Sequence, residues 1–502
     1  MSFPIGAHMT HSRHRFVASF AVGVLLLSSS TSLAATKFVN AQLTTGADDG
    51  SSWANAYRTV DGVPRAVAAA ATNDEVWVAA GTYYPTATTN RGLALNLRTG
   101  IAIYGGFTGS ESSRDQRNPA TNITTLSGDL GRNDPIITDN SSHVVNGNSA
   151  NATAILDGFT ITAGNANATT TTGDLDRGGG IIFLTNSNAT IRNCRIVNNR
   201  SFFGGGGTYI RQSSPTFIDV TWENNVGGSF GGAIDMFNTC NPTFTRCVFR
   251  NNSATRAGGV EVFGNCLPTF TNCLFVGNTA GSQGAGGLLV ASGSTATLRH
   301  CTIVGNSTTG SGSAILTNQS TTRLFNSIVY FNTTNGSTNA QLTGTTTLAT
   351  YSCIQNTTTG TGNITADPQF VNRAAGDFNL RDTSPCIDAA NAAEVGAGNT
   401  TDLRNQPRRI DAPLTTDTGP GGAPVPDMGA IEFQPIGCDA IDFNNNTVFP
   451  EDQDVIDFFN VLAGGDCSAG NTCNDIDFNN NTVFPEDADV IDFFNVLAGG
   501  EC

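Results

Sequence analysis

The sequence predicts an all-β protein built as a parallel β-solenoid, followed by a small α-helical module. Three observations predict this: asparagines that return at near-constant spacing through the middle of the chain, a composition poor in helix formers, and an acidic segment that occurs twice at the end.

The segments CRIVNN, VTWENN, CVFRNN, CLFVGN, CTIVGN and SIVYFN end at Asn199, Asn225, Asn252, Asn278, Asn306 and Asn332, at spacings of 26, 27, 26, 28 and 26. Five residues before each asparagine stands a small or apolar residue: Cys194, Val220, Cys247, Cys273, Cys301 and Ser327. A glycine-rich corner follows, as in FFGGGG, SFGGAID, RAGGVEV and GAGGLLV. Each unit thus has short β-branched or aromatic runs between residues that tolerate tight, left-handed bends. One such unit cannot bury its apolar side alone, whereas stacked copies share one continuous core. A propeller blade needs about 40 residues per repeat, and a leucine-rich repeat needs its leucine scaffold, so neither fits.

The chain has 57 glycines, only 13% charged residues and one lysine, Lys37. Its formal charge of −16 is concentrated in residues 437–502, which hold 14 Asp or Glu and no Lys or Arg. Such a chain lacks the basic footprint that nucleic acid or an anionic membrane requires. At the N-terminus, Arg13 and Arg15 precede the apolar run FVASFAVGVLLL and the small residues SSSTSLAAT, the pattern of a cleaved export leader over 1–34. No later segment is long and apolar enough to span a membrane, so the expected location is secreted and extracellular, with attachment at a cell surface. The expected division is 1–34 leader, 35–135 N-terminal cap and first coils, 136–365 repeats, 366–435 closing segment and 436–502 duplicated tail.

A period near 26 with an asparagine at one bend resembles the pectin-lyase-like right-handed β-helix. Pairing FRNN or FVGN with GGAI, GGVE or GGLL is similar to the repeats of polymorphic outer membrane proteins. DDGSSWANAYRTV, DEVWVAAGTYYPT and IYGGFTGSES resemble the start of large secreted β-helix proteins, and DPQFVN, SPCIDAA and DMGAIEF their closing segment. The resemblance implies right-handed coils and a short helix between Val60 and Ala71 that covers the first coil.

Cys194, Cys247, Cys273 and Cys301 share one register and are expected as buried free thiols. Cys240 and Cys266 occupy matching bends one coil apart and are candidates for a disulfide. In the tail, Cys438 and Cys467 bracket the first copy and Cys473 and Cys502 the second; closure within each copy is expected, although four cysteines allow three connectivities.

Within each copy, hard oxygen ligands alternate: Asp442, Asn444, Asn446, then Asp477, Asn479, Asn481. Positions 1, 3 and 5 of a tight loop can converge on one calcium ion, and the apolar stretch DVIDFFNVL should form a following helix. The pair resembles the duplicated calcium loop and helix of a dockerin, which implies calcium as cofactor and a protein partner for the tail. The usual glycine at position 6 is here Thr447 or Thr482, and position 12 is Gln453 or Ala488, so Asp452 or Asp454, and Asp487 or Asp489, would have to close the sites. A simpler reading has FPED merely starting a helix whose dipole its acids complement.

The β-helix resemblance also raises the question of catalysis. The N-T-D, G-H-G and R-I-K strings of galacturonan hydrolases do not occur. Past the leader the only histidines are His143 and His300, and His300 reads as an ordinary polar strand residue. One constellation stands out: Asp235 and Glu261 both lie 17 residues before their coil's asparagine, so they should stack on one outward face, with Phe237 and Phe263 two positions on and Arg211 one coil earlier. Paired carboxylates beside aromatic surface suit a retaining glycosidase or a sugar-binding groove. The expected function is a non-catalytic binding or adhesion scaffold, held on a partner by the tail and presented to polysaccharide or a cell surface. The alternative is a polysaccharide lyase or glycoside hydrolase on the same scaffold, and a third possibility is a surface-layer component that neither binds nor cleaves sugar.

Overall fold

The computed structural model describes residues 34–502 apart from 170–173, 311, 313, 339, 345–346, 397, 413–414, 436–438, 440, 450, 480–486 and 500–502. The expected leader therefore lies outside the described residues. No helix among the described residues is long and apolar enough to cross a membrane.

Each coil of the solenoid lays down short strands in a fixed order. One coil runs through Ile181–Leu184, Thr190–Arg192, Arg195–Val197 and Arg200–Ser201, and Thr208–Arg211 then pairs in parallel with Ile181–Leu184 to begin the next. Equivalent strands build parallel sheets of nine, eleven, ten and seven strands respectively.

The asparagine doublets have two separate jobs. Asn198, Asn224 and Asn251 turn the chain at φ of 57°, 55° and 55°, and Gly277 and Gly305 take the same place at 66° and 64°, which is why NN and GN interchange. The second residue of each doublet is fully buried and forms a ladder. Asn225 Oδ1 accepts both the backbone N–H and the side-chain amide of Asn199, at 3.1 and 3.1 Å. The same two bonds recur from Asn225 to Asn252, Asn252 to Asn278, Asn278 to Asn306 and Asn306 to Asn332. Gln341 ends the series by taking the two donors of Asn332 on its Oε1.

Inside the coils, like stacks on like at the strand spacing. Phe217, Phe244 and Phe270 form one column, with ring centroids 5.0 and 4.6 Å apart. Trp222, Phe249 and Phe275 form a second, at 5.0 and 4.5 Å. Replacing a buried ring by alanine in such a column costs about 3–5 kcal/mol.

The thiols of Cys194, Cys247, Cys273 and Cys301 are free and buried. Cys240 and Cys266 are also free, which corrects the expected disulfide. They stand in a ladder of hydroxyls and thiols, where Cys266 Sγ accepts the N–H of Cys240 at 3.1 Å and Ser294 Oγ accepts that of Cys266 at 3.1 Å. Each thiol also points back at a carbonyl of its own coil, Cys240 to Phe237 O and Cys266 to Phe263 O, both at 3.3 Å.

A helix α1 (Gly62–Ala69) buries Val63, Ala66 and Val67 against the strands Thr36–Val39, Glu75–Ala79 and Leu95–Asn96, in the place expected for the cap. Its last carbonyls are met by Arg98, which donates to Ala68 O at 3.3 Å and Ala70 O at 3.2 Å. Later in the chain, the closing segment packs across the outer side of the ten-stranded sheet. Phe370, Phe378, Leu380, Ile387 and Met428 share a core with Leu274, Val304, Ile328 and Tyr330.

His300 locks that packing and is not the ordinary strand residue expected. It is fully buried, its Nε2 takes the amide of Asn326 at 3.0 Å, and its Nδ1 faces Asp427 O at 3.2 Å. Burial and the Arg408 guanidinium beside it hold its pKa well below the usual histidine range. Arg408 in turn pairs with Glu432 at 3.1 Å, both side chains being 0% exposed.

In the tail, helices α2 (Asp452–Leu462) and α3 (Asp487–Leu497) follow the two loops. Asp439 N donates to Phe478 O at 2.8 Å and Asn474 N to Phe443 O at 2.9 Å, the same two positions with the copies exchanged. The copies are therefore related by a local twofold, around a core of Phe443, Phe458, Ile476, Phe478 and Phe493. Cys467 bonds Cys473, which rules out closure of either cysteine within its own copy. The two are only 6 residues apart, and the linker brings their Cα atoms to 5.7 Å. Cys438 and Cys502 lie outside the described residues.

Candidate functional site

Asp235 and Glu261 are direct partners on neighbouring strands, as their equal offsets predict. Both alternate with core residues, Ile234 and Met236 or Val260 and Val262, and so leave the interior. The expected open face is nevertheless absent, because Asp235 is 3% exposed and Glu261 1%. The glycine corners fold back over them. Arg177 spans the rings of Phe203 and Tyr209 and reaches Asp235 at 3.9 Å; Arg256 lies over Phe230 and pairs with Glu261 at 3.1 Å. Gly204 allows this cover, since a Cβ there would stand 2.1 Å from Asp235 Oδ2.

Burial pushes the Asp235 carboxyl up to about 7 against the pull of Arg177, and burial together with Asp235 pushes Glu261 up to about 8. Catalytic acids show such values, yet a substrate has no route to either group. Phe237 and Phe263 stack at 5.7 Å beside the pair, and Phe237 is 38% exposed. Arg211 is in register with Phe237 rather than Asp235, and bonds Asp174 at 2.8 Å.

An open cleft of about 670 Å³ lies elsewhere, on the outer face of the ten-stranded sheet. Its floor is a row across three strands, Thr160, Arg195 and Thr221. One wall is the loop that carries Arg114, Arg117 and Asn118. Behind the floor, the fully buried Asp157 anchors that wall: Arg117 meets it at 2.7 Å, Arg192 at 2.6 Å and the Asn193 amide at 2.9 Å. Arg195 stays 58% exposed while bonded to Glu223 at 2.8 Å. Guanidinium, hydroxyl and amide groups in one groove suit a hydroxylated, carboxylated chain. The periodicity that predicted the coils carries no signal for this cleft, because its wall is an insertion outside the repeat.

The first tail loop gathers hard oxygens. Asp442 Oδ1 and Oδ2 accept the N–H groups of Asn446 and Thr447 at 3.0 and 2.8 Å, and Asn444 Oδ1 accepts that of Asn446 at 3.2 Å. Thr447 keeps the left-handed turn of the missing glycine, at φ 70°. Asp454 is fully buried against the loop, taking the N–H of Asn444 at 3.5 Å and of Glu451 at 3.3 Å, whereas Asp452 is exposed on the first turn of α2. Burial raises the Asp454 pKa, and the nearby Asp442 and Glu451 charges add to it. In the second copy Asp489 is likewise buried and Asp487 exposed; Asp477 and Asn479 are buried, and Asn481 lies outside the described residues.

A residue overlooked in the sequence is Asp457, which takes the Asn444 amide at 3.0 Å and so turns its carbonyl oxygen into the loop. Asp492 does the same to Asn479 at 2.9 Å. The signal was there, as a carboxylate inside an otherwise apolar helical run. Asp442, Asn444, Asn446, Glu451 and Asp454 supply the hard oxygen donors that calcium takes, although their three carboxylates are not among the described acid groups that converge within 4.8 Å.

A family model described as "Right handed beta helix region" matches residues 133–286, which span the row of the cleft and the acid pair. No curated protein matches the chain. Coils, ladders and family match together identify this chain as a right-handed parallel β-helix protein.

Proposed function

We propose that the protein is an exported, non-catalytic binding and adhesion scaffold, whose ten-stranded face holds an acidic polysaccharide and whose tail attaches it to a protein partner through calcium. The observation that carries this reading is the cleft: Arg195 stands exposed between two threonines on a rigid floor, while the paired carboxylates suited to glycoside chemistry are shut away from solvent. In the tail, Asp442, Asn444, Asn446, Glu451 and Asp454 hold the ion in the first copy, and Asp477, Asn479 and Asp489 contribute in the second. Calcium orders the loops, and the paired helices α2 and α3 present the docking surface, as in the dockerins that the tail resembles.

Co-sedimentation with polyuronate, sulfated and neutral polysaccharides tests the reading. Retention on polyuronate that falls roughly tenfold in Arg195→Ala, a loss of about 1.4 kcal/mol, supports it. Equal retention of both proteins on all three polymers sinks it. Release of unsaturated or reducing ends would replace it with the polysaccharide lyase or glycoside hydrolase reading.

A further inference from the structure

The closing segment contains a cluster of acids that neither the cleft nor the tail uses. Asp388, Asp411 and Asp417 each bring one oxygen to a point where all three lie within 4.8 Å of one another. Asp411 and Asp417 are exposed, but Asp388 is 0% exposed. Its Oδ2 accepts the N–H of Ala412 at 3.3 Å, and its buried Oδ1 has no hydrogen-bond partner.

The rest of Asp388 is committed. Its N–H donates to Asp427 Oδ1 at 2.9 Å, and its carbonyl accepts from Thr418 and Gly419 at 2.9 and 3.1 Å. The carboxylate is thus held in place with one acceptor left over. The arginines of the segment are engaged elsewhere: Arg373 over the Phe331 ring, Arg381 with Val371 O, Arg404 with Asp377, Arg408 with Glu432, and Arg409 with the carbonyls of Pro424 and Gly422. A buried acceptor without a donor costs about 1–3 kcal/mol, and more when charged. Three carboxylates brought this close repel one another.

A cation reverses that balance. Ligands around calcium sit at about 2.3–2.6 Å, so two on opposite sides are about 4.8 Å apart, and three oxygens within that span fit one coordination shell. The donors are all carboxylate oxygens, which favours a hard ion over zinc or copper. We propose that Asp388, Asp411 and Asp417 form a divalent-cation site, with calcium as the ion, which staples Asp388 to Asp411 and Asp417 and so fixes the closing segment.

Equilibrium dialysis of the full chain against radioactive calcium tests it, with the tail variant Asp442→Ala/Asp477→Ala run beside it. The double variant Asp411→Asn/Asp417→Asn changes only exposed side chains, so the fold is kept. It should bind one calcium fewer per chain than the parent, and the tail variant should retain that ion. Asp388→Asn should lose the same ion. An unchanged calcium count in Asp411→Asn/Asp417→Asn, measured in either the parent or the tail-variant background, overturns the site without bearing on the tail.

Discussion

Asp235 and Glu261 face each other across neighbouring parallel strands, each with its own arginine and neither open to solvent. Their folded-state pKa values, near 7 and 8, stand above those of an unfolded carboxylate. The stability that protonation confers is full below about pH 4 and is lost as the pH rises through those values. Thermal melts should therefore show the parent losing stability between about pH 4 and 8, by up to about 1.4 kcal/mol per pH unit for each proton. In Glu261→Gln that loss should shrink. A variant whose melting temperature tracks the parent at every pH would contradict the buried-acid account.

His300 works with the opposite sign. Its folded pKa lies well below the unfolded value, near 6.5, so the unfolded chain binds the extra proton. Its contribution is full above that value and is lost as the pH falls. Between pH 7 and 5 the parent should lose more stability than His300→Asn does, read as the difference in melting temperature at each pH.

Removing one rung of the asparagine ladder should be costly. Asn252→Leu leaves the N–H and the side-chain amide of Asn225 without their acceptor in a fully buried place. Each orphaned donor costs about 1–3 kcal/mol, so the variant should be destabilised by roughly 2–5 kcal/mol in chemical denaturation. Cys240→Ser, which preserves an acceptor in the neighbouring ladder, should stay within about 1 kcal/mol of the parent.

Calcium uptake by the tail should separate three nearby acids. Asp454→Ala should abolish the calorimetric signal of the first loop, and Asp452→Ala should leave it intact. Asp457→Ala should weaken it roughly 10–100-fold by releasing Asn444, although Asp457 is not itself a ligand. Equal effects of Asp452→Ala and Asp454→Ala would show that the loop closes elsewhere.

The parts of this molecule that repeat along the stack were legible in the sequence. Equal offsets from the coil asparagine placed Asp235 opposite Glu261 because parallel coils map sequence period directly onto lateral contact. What covers that pair was not legible, since the period says nothing of how the glycine corners at Gly204 and beyond fold back across the sheet. The cleft was missed for a related reason: Arg114 and Arg117 stand in an insertion, outside any period. In the tail the duplication was plain, yet the choice between Asp452 and Asp454 turned on where α2 starts, a difference of half a turn. The Cys467–Cys473 bond was hidden in the same way, because the five-residue linker between them belongs to neither copy.

The asparagine ladder has one more consequence. Each asparagine donates to a carbonyl of the coil before and to the asparagine of the coil that follows, and every coil offers the same partners, so the stack contains no measure of its own length. Termination is a separate instruction, given where Gln341 turns its amide back to Asn332 O and Thr338 O instead of passing the bond onward. Whole coils are therefore interchangeable parts. Gaining or losing one alters the reach of the protein by a single strand spacing, about 4.8 Å, with every bonding type preserved, whereas a fraction of a coil would put the wrong residue under each asparagine above it.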